Sequence, residues 1–238
     1  MSVEMNTISD HIRAVQQADS SQAMLDATSA LASYNHGERA NGEAIACLVE
    51  VLGFNNPGAA VAAVDGLIRL GPVAVQPILE SLDPRNYGAR AWAVRALAGI
   101  GDVRGLELLE EALASDVGPS VRRAAACGLG SLRLEALEPQ PHAAVRQRAL
   151  AALLAGCRDG EWVVRYAVSV GLESLGLRLE PQPQEHQQLL EALAALGQPE
   201  LEDTVVVRLR ARLAHQRLQP MPPAEAQARS TIMSEAQP

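Results

Sequence analysis

The sequence contains no lysine, and all 20 of its basic residues are arginine. This absence excludes a P-loop nucleotide site, a pyridoxal Schiff base and any lysine nucleophile, because each of them needs the ε-amino group. A coding bias towards arginine codons explains the imbalance without a functional cause. The chemical exclusion holds whatever the origin of the bias.

Aromatic residues are also scarce, at 3% of the 238 residues, although hydrophobic residues make up 48%. Alanine and leucine dominate instead, which favours closely packed short helices over a β-sandwich. The net charge of −8 argues against nucleic-acid binding through a broad basic face. No apolar run approaches the roughly 20 residues needed to span a bilayer, and residues 1–10 lack a secretory signal pattern. We therefore expect a cytoplasmic protein without a membrane span.

Cysteine and histidine form no catalytic or metal-binding pattern. Cys47, Cys127 and Cys157 lie 80 and 30 residues apart, and each falls in an apolar helical segment. Free cysteine in such a segment behaves as a small buried hydrophobic residue, and an odd count argues against a disulfide framework. The five histidines are far apart, and no HExxH, GxSxG or glycine-rich phosphate loop occurs. The residues predict no metal site and leave any catalytic residue unknown.

What the chain does contain is one short helical pattern that occurs several times. Residues 89–100, 121–132 and 164–175 share it, and residues 59–70 repeat it without its arginine. The matching leucines, at intervals of 30, 32 and 43 residues, are Leu67, Leu97, Leu129 and Leu172. Self-similarity at this period is typical of a solenoid of helix pairs. We therefore predict an all-α superhelix of the HEAT or armadillo kind, with about five helix pairs.

A second helix is predicted after each of these first helices. These second helices span residues 73–82, 105–113 and 142–156, and an earlier one, before the first repeated helix, spans 43–52. A longer break at 133–141 explains the 43-residue interval as an insertion. One or two imperfect helices are expected within 10–35, and a final pair at 186–196 and 205–218. We expect the solenoid to cover 1–218 and the polar, aperiodic segment 219–238 to be a disordered tail.

Equivalent arginines recur at the start of three first helices. They are Arg90, Arg122 and Arg165. Stacked repeats would place them in a ladder with rungs about 8–10 Å apart, where they can bind carboxylates of a ligand bidentately. A structural role is the alternative, in which each arginine pairs with the aspartate of the linker that precedes its own helix. Those aspartates are Asp83, Asp116 and Asp159.

Four of the six aromatic residues also lie near the starts of first helices. Aromatic and arginine side chains together can hold a flat, conjugated, acidic ligand or a partner protein. Packing between repeats explains the same residues equally well. The binding candidates are Tyr87, Arg90, Trp92, Arg122 and Arg165, with Arg95, Arg123, Trp162 and Tyr166 as outer candidates.

Two strings in the first half of the chain resemble a known family. They are Asn-Asn-Pro-Gly-Ala-Ala-Val-Ala-Ala-Val-Asp-Gly-Leu at 55–67 and Asn-Tyr-Gly-Ala-Arg-Ala-Trp-Ala at 86–93. Both are similar to the HEAT-like repeats of the E/F-type phycobilin lyases, and most of all to their F subunits. The match continues through Val-Arg-Arg-Ala-Ala at 121–125, and the likeness extends over about residues 10–180.

The resemblance implies a cyanobacterial protein that works with an E-type partner. The pair would attach phycocyanobilin, or a related linear tetrapyrrole, through a thioether bond to a cysteine of an apo-phycobiliprotein, with the phycocyanin α subunit as the expected client. The bilin would be a substrate, and no cofactor would be bound permanently. Family members that also isomerise the bilin carry a His-Cys pair, which this chain lacks, so attachment alone is expected. A non-catalytic adaptor or chaperone for phycobiliprotein subunits is the alternative function.

Overall fold

The computed structural model describes residues 7–34, 42–83, 85–134, 138–178 and 182–219. Within these ranges the chain forms twelve α-helices and two short 3-10 helices, without a strand. The α-helices are α1 Ile8–Gln16, α2 Ser21–Ser33, α3 Gly42–Val51, α4 Pro57–Leu70, α5 Val75–Glu80, α6 Tyr87–Ile100, α7 Leu106–Ser115, α8 Pro119–Gly130, α9 Pro139–Gly156, α10 Trp162–Arg178, α11 Pro183–Leu196 and α12 Val205–Leu218. The predicted α-solenoid of about five helix pairs is confirmed, since α2 to α11 form five successive pairs.

The helices begin and end at residues suited to those positions. The side chains of Asn56 and Asn86 accept hydrogen bonds from the backbone N–H groups of Ala59 and Ala89, at 3.1 and 3.0 Å, and so cap α4 and α6. Gly101 follows α6 with a φ of 71°, a left-handed conformation that favours glycine. The two asparagine caps fix where α4 and α6 start, and therefore which of their side chains reach the linker edge of the stack.

The first helices of successive repeats, α2, α4, α6, α8, α10 and α12, pack directly against one another. The four repeated leucines of α4, α6, α8 and α10 are all fully buried there. Small residues allow the close approach, and a Cβ atom on Gly130 of α8 would overlap the backbone of Gly171 in α10. The small, alanine-rich composition therefore serves the contact between repeats.

The second helices α7, α9 and α11 pack against the first helices on either side of them. The stretched interval between Leu129 and Leu172 has two sources: a linker between α8 and α9, and an α9 of 18 residues against 10 in α7. In the linker, Leu132 and Leu134 are buried in the core. The predicted insertion is thus tied to the core at its start.

The stretch Pro57–Glu80 has the length and composition of a bilayer-spanning helix. In the structure it is divided, because α4 ends at Leu70 and a 3-10 turn from Gly71 to Ala74 separates it from α5. Leu67, Val75 and Ile78 from this stretch lie in the core. Its apolar character is used in packing between repeats.

The C-terminal end corrects the predicted final pair. Helices α11 and α12 exist as expected, but α11 is the second helix of the repeat that begins with α10. Helix α12 has the sequence and contacts of a first helix and packs on α10. The described chain therefore ends on a half repeat. The predicted disordered segment lies outside the described residues from 220 onwards, so that expectation stays a prediction.

Candidate functional site at the starts of the first helices

The recurring arginines form a ladder of ion pairs between successive repeats. Arg122 donates from Nε and Nη2 to the two carboxylate oxygens of Asp159, at 2.7 and 3.0 Å. Arg165 donates in the same way to Glu202, at 2.6 and 2.8 Å. Arg90 contacts Asp116 at 2.5 Å. Each arginine thus binds the acidic residue that opens the next repeat.

Arg122 and Arg165 also bind the linkers that precede their own helices, through backbone carbonyl oxygens of those linkers. Nη1 of Arg122 donates to the carbonyl oxygen of Asp116 at 2.7 Å, and Nη1 of Arg165 donates to that of Asp159 at 2.8 Å. The proposed pairing of each arginine with the aspartate side chain of its own linker is therefore wrong by one repeat. The side chain of Asp116 instead accepts from the N–H of Gly118 at 2.9 Å, which shapes the turn into α8.

The charges of the ladder stabilise one another. Hydrogen bonds from Arg165 lower the pKa of Glu202 from 4.5 to about 2. Burial alone would raise the pKa of Asp159, but the hydrogen bond from Arg122 and that from the N–H of Glu161 bring it below its usual value. The hydrogen bond to Asp159 raises the pKa of Arg122 in turn. These groups are therefore charged throughout the physiological range.

This geometry assigns the ladder arginines a structural role that explains their recurrence. The side chains of Arg90, Arg122 and Arg165 are only 14–15% exposed. Their use by a bilin or a client protein stays a prediction, and a ligand carboxylate would have to compete with an existing one. Sequence reasoning missed a further member, Arg208, although it follows Glu202 by the same six residues that separate Asp159 from Arg165.

One candidate, the half-buried Trp92, lines a cleft between the starts of α4 and α6. This cleft has a volume of about 260 Å³. Its lining includes Phe54, Asn55, Asn86 and Trp92. Arg95 lies over the face of Trp92, with its guanidinium carbon 4.7 Å from the ring centre. The lining of the cleft therefore combines two aromatic rings with amide groups, and a cation outside the lining rests on one of the rings.

The cleft accounts for the two strings that carried the family resemblance. Residues 55–57 and 86–92 contribute most of its lining. Tyr87, beside it, is 73% exposed, as suits a contact residue rather than a core residue. Phe54 and Asn55 were not among the predicted site residues, because sequence repetition drew attention to helix positions and not to the linker before α4.

The outer candidates are dispersed along the edge of the stack that the starts of the first helices form. Trp162 and Tyr166 are exposed at the start of α10, two repeats beyond the cleft, and neither lines it. Arg123 is exposed on α8. No ring contact joins any two of the four described candidate aromatic residues. The candidate aromatic residues therefore extend along the edge of first-helix starts and do not form one enclosed pocket.

A larger cleft of about 720 Å³ lies between α9 and α11. Glutamine and leucine residues dominate its lining, and Glu185 within it is already bound by Arg146 at 2.7 Å. It contains no aromatic ring and no exposed arginine. We therefore place the candidate site in the smaller cleft beside α6, where the chemistry suits a conjugated acidic ligand.

The three cysteine thiols are poor nucleophiles at neutral pH. Burial raises the pKa of Cys47 and of Cys157 to about 11. Burial also raises the pKa of Cys127. Since the thiolate is the nucleophilic form, very little of it exists at neutral pH. The prediction of buried hydrophobic side chains holds for Cys47, whereas Cys127 and Cys157 are half-buried.

Comparison with known proteins identifies the family. Residues 48–130 and 75–173 match HEAT repeats. The chain is 53% identical to the bilin biosynthesis protein RpcF of Synechococcus sp., over 74% of this chain and 81% of that protein. It is 49% identical to the phycocyanin alpha phycocyanobilin lyase CpcF of Synechocystis sp., over 69% and 74%. The chain belongs to the F-type phycobilin lyase subunits.

A solved relative of this F-type subunit comes from the complex of CpcE and CpcF of phycocyanin lyase from Nostoc sp.. The matched chain is 43% identical, with a TM-score of 0.64, and the match covers 73% of this chain and 99% of that one. An engineered protein that is 19% identical, with a TM-score of 0.54, shares the fold alone. The resemblance that the sequence indicated is thereby confirmed.

Proposed function

We propose that this chain is one subunit of a heterodimeric lyase that attaches phycocyanobilin to a cysteine of the phycocyanin α subunit in the cyanobacterial cytoplasm. The observation that carries the proposal is its similarity to a chain solved in the CpcE–CpcF complex of phycocyanin lyase, matched over 99% of that chain. The partner is then an E-type subunit, and the bilin is a substrate.

The chemistry of the reaction suits a chain without a nucleophile of its own. The client's thiol adds across the ethylidene double bond of the bilin, so that an S–C bond forms and the thiol proton ends on the neighbouring carbon. Nothing is oxidised or reduced. The client supplies the nucleophile, which is consistent with the raised thiol pKa values of this chain. What the lyase contributes is the position and orientation of the two reactants.

The cleft beside α6 is the part of this chain that we assign to the bilin. Phe54 and Trp92 suit the conjugated rings of a tetrapyrrole, and Arg95, which rests on the ring of Trp92 outside the lining, would bind a propionate that extends beyond the cleft. A volume of about 260 Å³ is small beside the roughly 300–1,000 Å³ typical of small-molecule sites. One end of the bilin would occupy the cleft, and the E-type subunit or the client would cover the rest.

Reconstitution tests the proposed function. The chain is co-expressed with its E-type subunit, an apo-phycocyanin α subunit and a source of phycocyanobilin, and the denatured client is examined for zinc-induced fluorescence on a gel. We expect a covalently coloured client only when both subunits are present. A client that is bound and kept soluble but stays colourless would contradict the lyase and favour the adaptor or chaperone. Full-rate transfer by this chain alone would contradict the need for a partner.

A further inference from the structure

The last helix of the described chain exposes a continuous apolar face. Val205, Leu209 and Leu213 follow one another at intervals of four residues along α12, and Leu201 lies in the turn before it; all four are 41–72% exposed. Residues at this interval lie on one side of a helix, and we call Val205, Leu209 and Leu213 the α12 stripe. Terminal repeats of a solenoid normally carry a polar outer face that closes the stack. None of the described residues covers the α12 stripe, so this end of the helix stack has an exposed apolar surface.

The arginine ladder is open at the same end. Nη1 of Arg208 donates to the carbonyl oxygens of Glu202 and Asp203, at 2.7 and 2.9 Å. Arg122 and Arg165 make the same backbone contacts in their own repeats. In those two, the Nε and Nη2 edge also binds a carboxylate of the next repeat. Among the described residues Arg208 has no carboxylate partner, so only its Nη1 group is used and its Nε and Nη2 edge is available.

We propose that α12 is the docking surface for the E-type subunit, an inference that rests on the proposed function. The partner would add a helix to the stack and cover the α12 stripe with its own apolar side chains. An acidic residue just before that helix would accept two hydrogen bonds from Arg208. The contact between the two subunits would thus have the same form as the contact between neighbouring repeats within this chain.

The charges on α12 favour such a partner over a second copy of the chain. Helix α12 contains four arginines and no acidic residue: Arg208, Arg210, Arg212 and Arg217. Two copies facing each other across a two-fold axis would bring these cationic helices together. Arg210 and Arg217 are already bound to Glu173, and Nε of Arg212 donates to the carbonyl oxygen of Gly197 at 2.8 Å. Of the two arginines left without a carboxylate among the described residues, Arg208 is the one in register with the ladder. An acidic helix start is the complementary chemistry.

A head-to-tail contact between copies is disfavoured as well. The N-terminal helices α1 and α2 expose no large apolar side chain within the described residues 7–34. Residues 7–34 therefore offer the α12 stripe no exposed apolar face to pack against. A head-to-tail contact would also continue without closing and give filaments. The observations therefore point to a different protein as the occupant.

The test is a binding titration of the two purified subunits without bilin or client. We expect a 1:1 complex with the wild-type chain and a rise in Kd of at least about tenfold for Leu209→Glu, because a charge would face the apolar partner surface. Arg208→Lys keeps the charge but loses the planar fork, and should raise Kd by about tenfold. Val73→Glu and Arg158→Lys are the matched controls, since both residues are exposed and lie away from α12. Melting temperatures on the same samples show that the variants fold.

The remaining outcomes separate this inference from the proposed function. Wild-type affinity in Leu209→Glu would overturn the docking surface and leave the lyase intact. Self-association of the wild-type chain that Leu209→Glu abolishes would assign the α12 stripe to a second copy. A chain that ends at Gln219 should bind the E-type subunit with unchanged Kd. If the truncated chain self-associates and the full chain does not, the segment 220–238 and not the E-type subunit would be the group that covers the α12 stripe. If wild-type subunits do not bind each other at all, the proposed function fails with the inference.

Discussion

Glu202 is the most strongly perturbed acid of the ladder, and its effect on stability depends on pH. Its side chain is 1% exposed and bound by Arg165, and its pKa falls from 4.5 to about 2. A lowered pKa in the folded state contributes stability that is complete above about pH 4.5 and is lost as the pH falls towards 2. A shift of this size corresponds to about 3 kcal/mol.

Glu202→Gln should therefore be less stable than the wild type at pH 7, and the difference should shrink as the pH falls from 5 to 2. Chemical denaturation at a series of pH values measures this difference. Glu200→Gln is the control, because Glu200 is exposed in the same linker and should give no difference at any pH. A difference for Glu202→Gln that is constant with pH would show that the glutamate acts through packing and not through its charge.

Phe54 tests the cleft beside α6 at the scale of one side chain. Phe54 and Tyr166 are both 38% exposed, but only Phe54 lines the cleft. An aromatic contact contributes about 0.5–1.5 kcal/mol beyond its buried area. Phe54→Ala should therefore lower kcat/KM for bilin transfer by about three- to tenfold, while Tyr166→Ala leaves it nearly unchanged. Equal losses from the two variants would extend the site along the whole edge of first-helix starts.

At the scale of helices, Arg122 joins α8 to the linker before α10. Arg122→Ala would leave Asp159, whose side chain is 10% exposed, without its bidentate partner. Breaking a buried pair costs about 3–5 kcal/mol, and the partial exposure here reduces the expected loss to about 2–3 kcal/mol. Arg122→Lys should restore part of it, since the charge remains but the fork is lost.

The neighbouring Arg123 is the control for this prediction, because it is exposed on the same helix. Arg123→Ala should leave the melting temperature unchanged. Bilin transfer measured on the same preparations separates folding from binding. A loss of transfer in Arg122→Ala without a lower melting temperature would mean that this arginine serves the ligand or the client after all.

The sequence alone predicted the helices better than it predicted their pairing. The buried leucine register and the asparagine and glycine caps located α4, α6 and α8, because these signals are local. The partner of Arg122 was not predictable in the same way, since Asp116 and Asp159 are equally plausible in chemistry and only the stacking of repeats decides between them. The role of α12 was mistaken for the same reason. An amphipathic helix has the same sequence pattern whether it is the second helix of a pair or the first helix of an incomplete pair.

For the candidate site, the sequence identified the aromatic and arginine residues but not how exposed they are. Arg90 and Arg95 occur on one helix, yet one lies in an ion pair and the other over Trp92. Exposure depends on neighbouring repeats and therefore on the assembled stack. Phe54 lies between two patterned helices, where no periodic signal exists to mark it.

At the scale of the whole molecule, the core consists of two clusters that meet at α6. One extends from Val15 to Ile100, and the other from Val94 to Leu218. In a solenoid each repeat contacts only its neighbours, so that stability is close to a sum of local terms. The two ends of this chain should therefore loosen independently, with α6 as the element that both share.

Two buried leucines at opposite ends test this independence. Leu31 in α2 and Leu193 in α11 are both fully buried, and replacing such a leucine by alanine costs about 2–5 kcal/mol. Leu31→Ala should accelerate amide hydrogen exchange in α1 to α3 and leave α10 to α12 near their wild-type rates, because the lost contacts belong to the first cluster only. Leu193→Ala should do the reverse. Exchange that rises uniformly along the chain in both variants would show instead that the stack unfolds as one cooperative unit, and that the contacts at α6 couple the cleft beside it to the far end at α12.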